Sequence, residues 1–565
     1  MTVQTNTQKQ SPRFIQTFTP KLVTVFREGY GPSALRRDAL AGLTVAIVAL
    51  PLSMAIAVAS GVTPAQGLYT AIIGGFLVSL FGGSRFQIGG PAGAFIVLVA
   101  ATAAQHGVDG LILATFISGI MLVTIGFLRL GTFIKFIPFP VTIGFTAGIA
   151  VIIFTSQIKE LFGLTIAYEP SHLIEKIPTL WAARSSLTPA ALGTFASTVA
   201  VIVGLRHWRA HWPGMLIAVG LMAVSTAVFS WPIQTIGTKF GGIPSSLPWP
   251  SVPLLTPARI LAVLPSAFSF TLLGAIESLL SAVVADGMTG RRHRSNCELV
   301  AQGVANIGSS FFGGFCVTGT IARTATNVRA GAHGPVAGML HSLFLLLFML
   351  IAAPLAAYIP LAALAGVLSV VAWNMIEKAA IVVLIRSGWS EVSVLGTTFF
   401  LTVFRDLTEA IVVGLALGSI LFIHRMSEAT KVVTHRVFVT RDNTDAPPRI
   451  TTHEQWAAHT DVVIYRITGV LFFGVAVAVG AVLDRIDVSC RALIVDFTDV
   501  PFLDSTGANM IEGLAYKAKR QRTELWLTGA SPNVAQALRT HGLAIPLVQF
   551  ADTVDAALEI ILVEI

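Results

Sequence analysis

The chain has 565 residues, of which 54% are hydrophobic and 12% are charged, and its formal net charge is +8. A soluble protein carries about a quarter charged residues, so this composition excludes a soluble protein over most of the chain. In a soluble protein the positive charge would point to nucleic acid. Here the basic residues lie largely in short loops between apolar runs, where they orient a membrane protein, and we expect no nucleic-acid partner.

Apolar segments long enough to span a membrane occur throughout the first three quarters of the chain, if spans need about 20 residues and fewer where a helix is broken. We predict fourteen spans, near 41–59, 65–82, 91–105, 109–129, 137–157, 189–205, 213–231, 264–286, 298–313, 317–329, 334–357, 361–373, 391–405 and 407–425. An even number places both termini on one side. Short-loop basic residues such as Arg85, Arg129 and Arg294 fall on that side, which predicts cytoplasmic termini. No cleavable signal peptide is recognisable, so we expect the first span to direct insertion.

The character of the chain changes after about Lys431, where charged residues return. Strands are predicted at 462–467, 493–497 and 525–528, and helices at 505–520, at 533–541 and from about 553. This alternation is typical of a compact α/β domain. The predicted organisation is a cytoplasmic N-terminal segment over 1–38, a transmembrane transport domain over 39–426, a linker with a first strand over 427–450, and a cytoplasmic α/β domain over 451–565.

Two of the spans are interrupted by small residues, the third after 89–91 and the tenth after 313–314. Taken alone, such a run also suits a loop or a close helix-packing seam. The first span begins near Ala41 and the eighth near Leu264, however, and the same offset from Pro91 leads to residue 314. Seven spans, an odd number, separate the halves, which predicts two inverted repeats with paired broken helices, a pattern typical of transporters. Two half-helix N-termini that meet would attract an anion.

Two charged residues fall within predicted spans. Glu277 lies in the eighth span, where a carboxylate in hydrocarbon is costly and should face a cavity or a partner; Ser281 follows one turn later on the same face. Glu277 could be a proton-coupling site, a sodium site together with a hydroxyl group, or a salt-bridge partner of Arg323 in the tenth span. Arg323 could attract the anion, pair with Glu277, or extend to the cytoplasmic interface.

Motifs for catalysis and for metal binding are missing from the sequence. We find no nucleophile with a base and no Walker loop, and the three cysteines form no CxxC pair. His207 and His211 have helical spacing, but they lie beside Trp208 and Trp212 and fit interfacial anchoring better than metal binding. We therefore expect no enzymatic activity, no cofactor and no metal.

Several segments resemble the SulP anion transporter family in order along the chain. The matching segments are 38–45 (DALAGLTV), 50–55 (LPLSMA), 61–69 (GVTPAQGLY), 81–85 (FGGSR), 89–91 (GGP), 274–281 (GAIESLLS) and 285–290 (ADGMTG). The C-terminal DF at 496–497 and FLDSTG at 502–507 resemble a STAS domain. The resemblance covers essentially the whole chain.

The resemblance implies a seven-plus-seven inverted repeat divided into core and gate bundles, elevator-like alternating access, and a homodimer in the lipid membrane. It also implies an anion site between the third and tenth spans, whose lining residues would be Ile56, Ala92, Gly93, Thr320, Ile321 and Ala322, with Arg323 beside them.

Glu277, with Ser281, falls where bicarbonate-transporting relatives place a sodium-binding aspartate. Glutamate replaces that aspartate, however, and Ile321 stands where those relatives offer a threonine hydroxyl. The eighth span and the loop after it are most similar to a bacterial subgroup that takes up C4-dicarboxylates with protons, and the small Ala92 leaves room for a larger anion. Bicarbonate and sulfate remain open as substrates.

In soluble relatives of the STAS domain, the hydroxyl at the position of Thr506 is phosphorylated, which would add negative charge at a helix N-terminus and change contacts with a cytosolic partner. The alternative, which we favour, is that Ser505 and Thr506 cap the following helix. For the whole chain, the leading hypothesis is an ion-coupled anion symporter. An anion-sensing signalling protein and a passive anion channel are the alternatives.

Overall fold

The structure, a computed structural model, describes residues 14–132, 137–166, 170, 173–209, 212–405, 407–429, 431–435, 462–475 and 491–563. The chain forms two compact units that divide between Gly418 and Ser419. This division falls within a helix, some residues before the predicted boundary at 426. The predicted domain limits therefore stay predictions, and much of the predicted linker over 427–450 lies outside the described residues.

The first unit is helical. Its helices are α1 (Phe14–Phe18), α2 (Lys21–Arg27), α3 (Pro32–Ala59), α4 (Pro64–Tyr69), α5 (Gly75–Phe81), α6 (Ile96–Phe127), α7 (Phe139–Ser156), α8 (Ile158–Phe162), α9 (Leu173–Ala182), α10 (Pro189–Trp208), α11 (Gly214–Phe229), α12 (Ile236–Phe240), α13 (Pro257–Thr289), α14 (Ser295–Phe311), α15 (Ile321–Arg329), α16 (Val336–Ala356), α17 (Leu361–Met375), α18 (Lys378–Ser387), α19 (Trp389–Phe404) and α20 (Leu407–Ala429). A π-helical turn (Thr70–Gly74) joins α4 to α5, and a 3₁₀ turn (Gly93–Phe95) precedes α6. Two short strands, β1 (Gly89–Gly90) and β2 (Thr318–Gly319), come before this 3₁₀ turn and before α15.

Local sequence explains where several of these helices start. Proline occupies the first turn of α3, α10 and α13, where its missing N–H costs nothing. At the start of α4, the hydroxyl of Thr63 accepts the N–H of Gln66 while the Gln66 side chain reaches back to the Thr63 N–H, which forms a capping box.

Each predicted span coincides with a helix of the described chain. Nine helical stretches there are long and apolar enough to cross a membrane, and α11 and α19 are shorter apolar helices. The number that crosses the bilayer therefore remains a prediction.

Two regions differ in detail from the sequence prediction. The third and fourth predicted spans lie in one helical stretch, α6, which is broken at Gly107, where φ is +71°. Within the predicted polar segment 1–38, the chain already forms α1, α2 and the start of α3. Asp38 is buried there and accepts hydrogen bonds from the Tyr30 hydroxyl and from the backbone N–H of Gly334. A hydrophilic sequence at this point thus belongs to the folded unit.

Twelve of these helices pack in two groups. One group contains α3, α5, α6, α13, α14, α15 and α16, and the other contains α7, α10, α11, α17 and α19. Contacts of α17 and α11 with α3 join the two groups. This grouping agrees with the predicted division into a core bundle and a gate bundle.

The second unit is an α/β domain. Its sheet has the order β3 (Lys431–His435), β4 (Val462–Thr468), β5 (Ala492–Asp499), β6 (Glu524–Thr528) and β7 (Gln549–Ala551), and only the β3–β4 pair is antiparallel. Helices α21 (Ser505–Gln521) and α22 (Pro532–Thr540) contribute to the apolar core on one face, and α23 (Val554–Val563) covers the other. Because β5 is covered on both faces, it is buried over Ala492–Phe497.

Candidate anion-binding site

The two broken segments pair directly with each other. Strand β1 (Gly89–Gly90) is antiparallel to β2 (Thr318–Gly319), with Gly89 opposite Gly319 and Gly90 opposite Thr318. Each strand leads into a helix, through the 3₁₀ turn into α6 and directly into α15. The offset from α3 to α13 equals the offset from α6 to α15. The antiparallel pair and the equal offsets agree with the predicted inverted repeat.

The N-termini of both half-helices lack side-chain caps. Ala92 and Thr320 occupy the positions before the first turns, and neither side chain accepts a hydrogen bond from the helix. The Thr320 hydroxyl instead donates to the carbonyl oxygen of Ile88 at 3.3 Å. The N–H groups of a first helical turn have no partner within the helix, and together with the helix dipole they favour a negative charge.

The predicted lining residues differ in exposure. Ile56 and Ala92 are buried in the same apolar cluster, and Thr320 is also buried. Gly93 and Ile321 are half-buried and Ala322 is exposed. A side chain at Gly93 would begin 3.0 Å from Ile153 Cδ1 of α7, so the glycine allows close approach of the second helix group.

Arg323 in the first turn of α15 is buried, with 1% of its surface exposed. Its Nη2 donates to Ser53 Oγ at 3.1 Å and to the Pro91 carbonyl oxygen at 3.3 Å. Its Nε and Nη1 have no hydrogen-bond partner within the described residues. A methyl group at Gly90 would lie 2.3 Å from Nη1 and would have to displace the guanidinium. The guanidinium therefore lies against the β1 backbone, beside the paired half-helices.

Two of the roles considered for Arg323 are wrong in this structure. Within the described chain, no ion pair joins Arg323 to Glu277 or to another carboxylate. Because the side chain is buried, it does not extend to an interface either. Burying a positive charge without a counter-ion costs free energy. A bound anion would supply that counter-ion at this site.

Glu277 of α13 is buried, with 6% of its surface exposed. Its carboxylate has no hydrogen bond or ion pair to any other described residue. The neighbouring Ser281 hydroxyl donates to Thr324 Oγ1 of α15 at 2.9 Å. Ser278, also beside Glu277, accepts a hydrogen bond from Gln87 Nε2 at 2.8 Å. The carboxyl group is therefore free to bind a proton or a cation, while the hydroxyl groups around it connect α13 to the paired segments.

A cluster of side chains for a polyvalent metal is not found among the residues that the structure describes. No group of three or more histidine, cysteine, aspartate or glutamate residues is close enough to hold an ion.

Comparison with known proteins assigns this architecture. The model of the sulfate permease family matches residues 35–398. The chain belongs to this family. The STAS domain model matches residues 455–557 of the same permease. The permease is thus an anion transporter, a polytopic α-helical membrane protein with a C-terminal STAS domain.

Individual relatives span nearly the whole permease. It is 38% identical over 522 residues to YvdB of Bacillus subtilis, which is named as a candidate sulfate transporter, and the alignment covers 91% of this chain and 95% of the relative. It is 29% identical to the bicarbonate transporter BicA of Picosynechococcus, with coverage of 89% and 90%.

Among solved structures, the murine solute carrier 26 family member A9 anion transporter superposes with a TM-score of 0.84 at 16% identity, covering 99% of this chain and 96% of that one. The transmembrane domain of a cyanobacterial BicA superposes with a TM-score of 0.61 at 28% identity, covering 69% and 98%. The first of these shows a shared fold alone.

Sequence reasoning missed the polar side chains that hold the permease's paired segments in place. Asn306 of α14 donates through Nδ2 to the Val317 carbonyl oxygen and accepts the Val317 N–H through Oδ1, both at 2.9 Å. Ser53 receives the Arg323 hydrogen bond, and the Thr70 hydroxyl accepts the N–H of Phe315. These residues could have been recognised as isolated polar residues within apolar spans. Hydrocarbon offers a polar group no partner, so such a residue is expected to form a hydrogen bond inside the protein.

In the STAS domain, the cap predicted for α21 is wrong. The residue before the helix is Asp504, and its Oδ1 accepts the Gly507 N–H at 2.8 Å. Ser505 and Thr506 follow within the first turn, and both are exposed. Asp504 Oδ2 also accepts the Phe473 N–H, so aspartate serves two backbone groups with one side chain. The Thr506 hydroxyl has no capping role here.

Proposed function

We propose that this permease is a proton-coupled symporter that takes up C4-dicarboxylates such as succinate by an elevator-type movement of the core helices against the gate helices. The anion would bind where the 3₁₀ turn before α6 and the start of α15 meet, lined by Ile56, Ala92, Gly93, Thr320, Ile321 and Ala322, with Arg323 beside it. We further propose a homodimer in a bacterial inner membrane, with the N-terminus and the STAS domain in the cytoplasm.

The observation that carries the proposal is the pair of isolated buried charges. Arg323 lacks a counter-ion, and the Glu277 carboxylate has no hydrogen-bond partner among the described residues. One carboxylate of the anion would neutralise the first, and a proton would neutralise the second. If both must be neutral for the loaded core to move through the hydrocarbon layer, uptake of the anion is coupled to uptake of the proton. A sodium ion at Glu277 would serve the same purpose, and the Ser281 hydroxyl, which donates to Thr324, keeps its oxygen lone pairs for such an ion.

The size of the lining residues supports a dicarboxylate. Ala92 and Gly93 carry the smallest side chains at one half-helix, and Ala322 is small at the other. The uncapped N–H groups of two half-helices, with Arg323, provide two separate positive regions, and a C4-dicarboxylate carries two separated charges. We propose that one carboxylate binds each region.

The test is uptake of labelled succinate into proteoliposomes driven by a pH gradient. Accumulation against the succinate gradient would exclude a channel, and flux of any anion would exclude a protein that only senses anions. The Glu277→Gln variant should exchange internal for external succinate yet fail to accumulate it under a pH gradient. Full pH-driven accumulation by this variant would contradict the role of Glu277, and accumulation driven by sodium would favour the sodium alternative.

Glu298→Gln is the matched control for the loss of a buried carboxylate. Glu298 in α14 is also buried, but its carboxylate accepts hydrogen bonds from the Ser84 N–H and from Gln302 Nε2. Its replacement should lower thermal stability without uncoupling transport from the pH gradient.

Sulfate or bicarbonate uptake is the second candidate function, because the relatives YvdB and BicA are named for these anions. Competition of labelled succinate uptake by excess sulfate, bicarbonate and fumarate separates the candidates. Inhibition by fumarate alone supports the dicarboxylate. If the protein takes up sulfate or bicarbonate but not succinate, the dicarboxylate proposal is wrong and that anion is the substrate.

A further inference from the structure

Helix α18 (Lys378–Ser387) is too short to cross a membrane. Its 10 residues extend about 15 Å, half of a hydrocarbon layer that is about 30 Å thick. It is also separate from α17, because the ψ angles of Ile376 and Glu377, 106° and 73°, lie outside the helical range. The chain therefore places a short independent helix between α17 and α19.

The surface of α18 combines exposed apolar side chains with basic ends. Val383 and Ile385 are exposed, while Lys378 and Arg386 lie in the first and last turns. Trp389, just after the helix, is 87% exposed. In membrane proteins, apolar side chains flanked by tryptophan and basic residues lie at the boundary between hydrocarbon and headgroups. The composition of α18 is thus that of a helix lying in the plane of the membrane surface.

Two contacts join the start of α18 to the ends of α10 and α17. The Lys378 ammonium lies 3.5 Å from the centre of the Trp373 ring at the end of α17. The next residue, Asn374, accepts a hydrogen bond from Arg206 Nη1 of α10 at 2.9 Å. All four side chains are exposed, and we call them the basic corner. Adjacent residues of α17 thereby hold one cation from α10 and one from α18.

The two cations of the basic corner lack a counter-ion. Within the part of the chain that the structure describes, neither Arg206 nor Lys378 forms an ion pair. Glu377 precedes Lys378 in the sequence but does not pair with it. A phosphate group accepts hydrogen bonds from a guanidinium and from an ammonium ion. A lipid with net negative charge supplies such a phosphate next to acyl chains, which suit the apolar side chains of α18.

We propose that the basic corner binds the headgroup phosphate of an anionic phospholipid, whose acyl chains lie against the exposed apolar side chains of α18. In the predicted topology α10 and α17 both end on the cytoplasmic side, where basic residues attract anionic lipids. Both helices belong to the gate group, so the bound lipid fixes this group in the bilayer. The inference goes beyond the proposed transport activity and does not depend on which anion is carried.

The experiment measures binding of phosphatidylglycerol to the purified full-length protein by native mass spectrometry, with no transported anion present. Lys378→Gln and Arg206→Gln should each lower the affinity of the tightest-bound lipid about fivefold, the factor that one basic residue contributes near an anionic surface. The double variant should lower it about twenty-five-fold, and Lys378→Arg should retain it. Phosphatidylcholine, which has no net charge, should bind the wild-type protein and the variants equally. The altered side chains are exposed, so we expect the variants to fold.

Arg520→Gln is the matched control, because it removes an exposed positive charge from α21 of the STAS domain. It should leave the affinity for phosphatidylglycerol unchanged. Equal lipid affinity of the wild-type protein and the double variant would overturn the proposal. An equal loss in Arg520→Gln would also overturn it, since only the net charge would then matter. If the double variant instead loses binding of inorganic phosphate in isothermal titration calorimetry but keeps lipid binding, the basic corner is a site for free phosphate.

Discussion

Replacing Gly90 by alanine tests the position of Arg323 directly. Gly90 has a φ of +156°, and an added Cβ would lie 2.3 Å from Arg323 Nη1. Normal contact between such atoms requires about 3.5 Å, so the guanidinium has to retreat by about 1 Å. The Nη2 hydrogen bonds to Ser53 and Pro91, at 3.1 and 3.3 Å, are already long and would not survive that shift.

The expected effect has two separable parts. The strained backbone of an alanine at this φ costs about 1–3 kcal/mol of folding stability. Displacement of the charge by about 1 Å should raise KM for the anion about ten- to a hundredfold, because electrostatic stabilisation depends on preorganised geometry.

Gly107→Ala is the matched control. Gly107 also has a positive φ, +71°, but an added Cβ there would meet nothing within 4 Å. This variant should share the loss of stability, measured by thermal unfolding in detergent, while its KM for anion uptake into proteoliposomes stays at the wild-type value. The comparison separates backbone strain from displacement of Arg323.

A double-mutant cycle decides whether Arg323 carries the effect. Adding Gly90→Ala to Arg323→Gln should cause no further rise in KM, because the displaced group is already removed. A wild-type KM for Gly90→Ala alone, or additive effects of the two changes, would refute the proposed link between the β1 backbone, the guanidinium and the anion.

Two further predictions concern the side chains that sequence reasoning missed. Asn306→Ala should lower the free energy of unfolding by about 2–4 kcal/mol, because it leaves the Val317 N–H and carbonyl oxygen buried without partners; an unchanged melting temperature in detergent would contradict this clamp. Asp504→Ala should destabilise the STAS domain by about 1 kcal/mol through loss of the Gly507 cap, while Ser505→Ala should be nearly neutral. Both variants are checked by urea unfolding of the full-length protein, with limited proteolysis as the probe of STAS unfolding. A larger destabilisation by Ser505→Ala than by Asp504→Ala would show that the serine is the cap.

Phosphorylation of Thr506 stays a prediction, and the structure changes the reasoning behind it. Because Asp504 is the cap, the exposed Thr506 hydroxyl is not needed to start α21. A phosphate there would lie at a helix N-terminus, where its charge is favoured by the dipole, although the Asp504 carboxylate is close enough to oppose it. Mass spectrometry of the protein purified from its native host would detect the modification, and an unmodified Thr506 under all growth conditions would contradict it.

The helices could be located from the sequence because hydrocarbon imposes a simple rule. A span must be apolar on every face and satisfy its own backbone, so runs of apolar residues determine where helices lie. The broken helices were also visible, since glycines before Pro91 and before Cys316 recur at a constant offset. The alternation in the C-terminal part predicted the STAS strands for a similar reason, because buried parallel strands form short apolar runs.

Partners of the charged and polar side chains could not be derived in this way. Arg323 lies 270 residues from Ser53 in the chain, and no local pattern states which buried group will receive its hydrogen bond. The salt bridge to Glu277 was chemically reasonable, yet the packing of α15 against α3 turns the guanidinium toward Ser53 and the β1 backbone.

The sequence by itself determined a membrane-embedded helical unit with two interrupted helices, followed by an α/β domain, because composition and periodicity report the solvent that each segment faces. Only the tertiary structure decided which charges remain unpaired. Packing directs the Arg323 guanidinium to Ser53 and to the β1 backbone, and it directs the Ser281 hydroxyl to Thr324, so that neither Arg323 nor Glu277 has a counter-ion in the described chain. These long-range contacts, which depend on packing rather than on local sequence, are the basis for proposing an anion at one residue and a proton at the other.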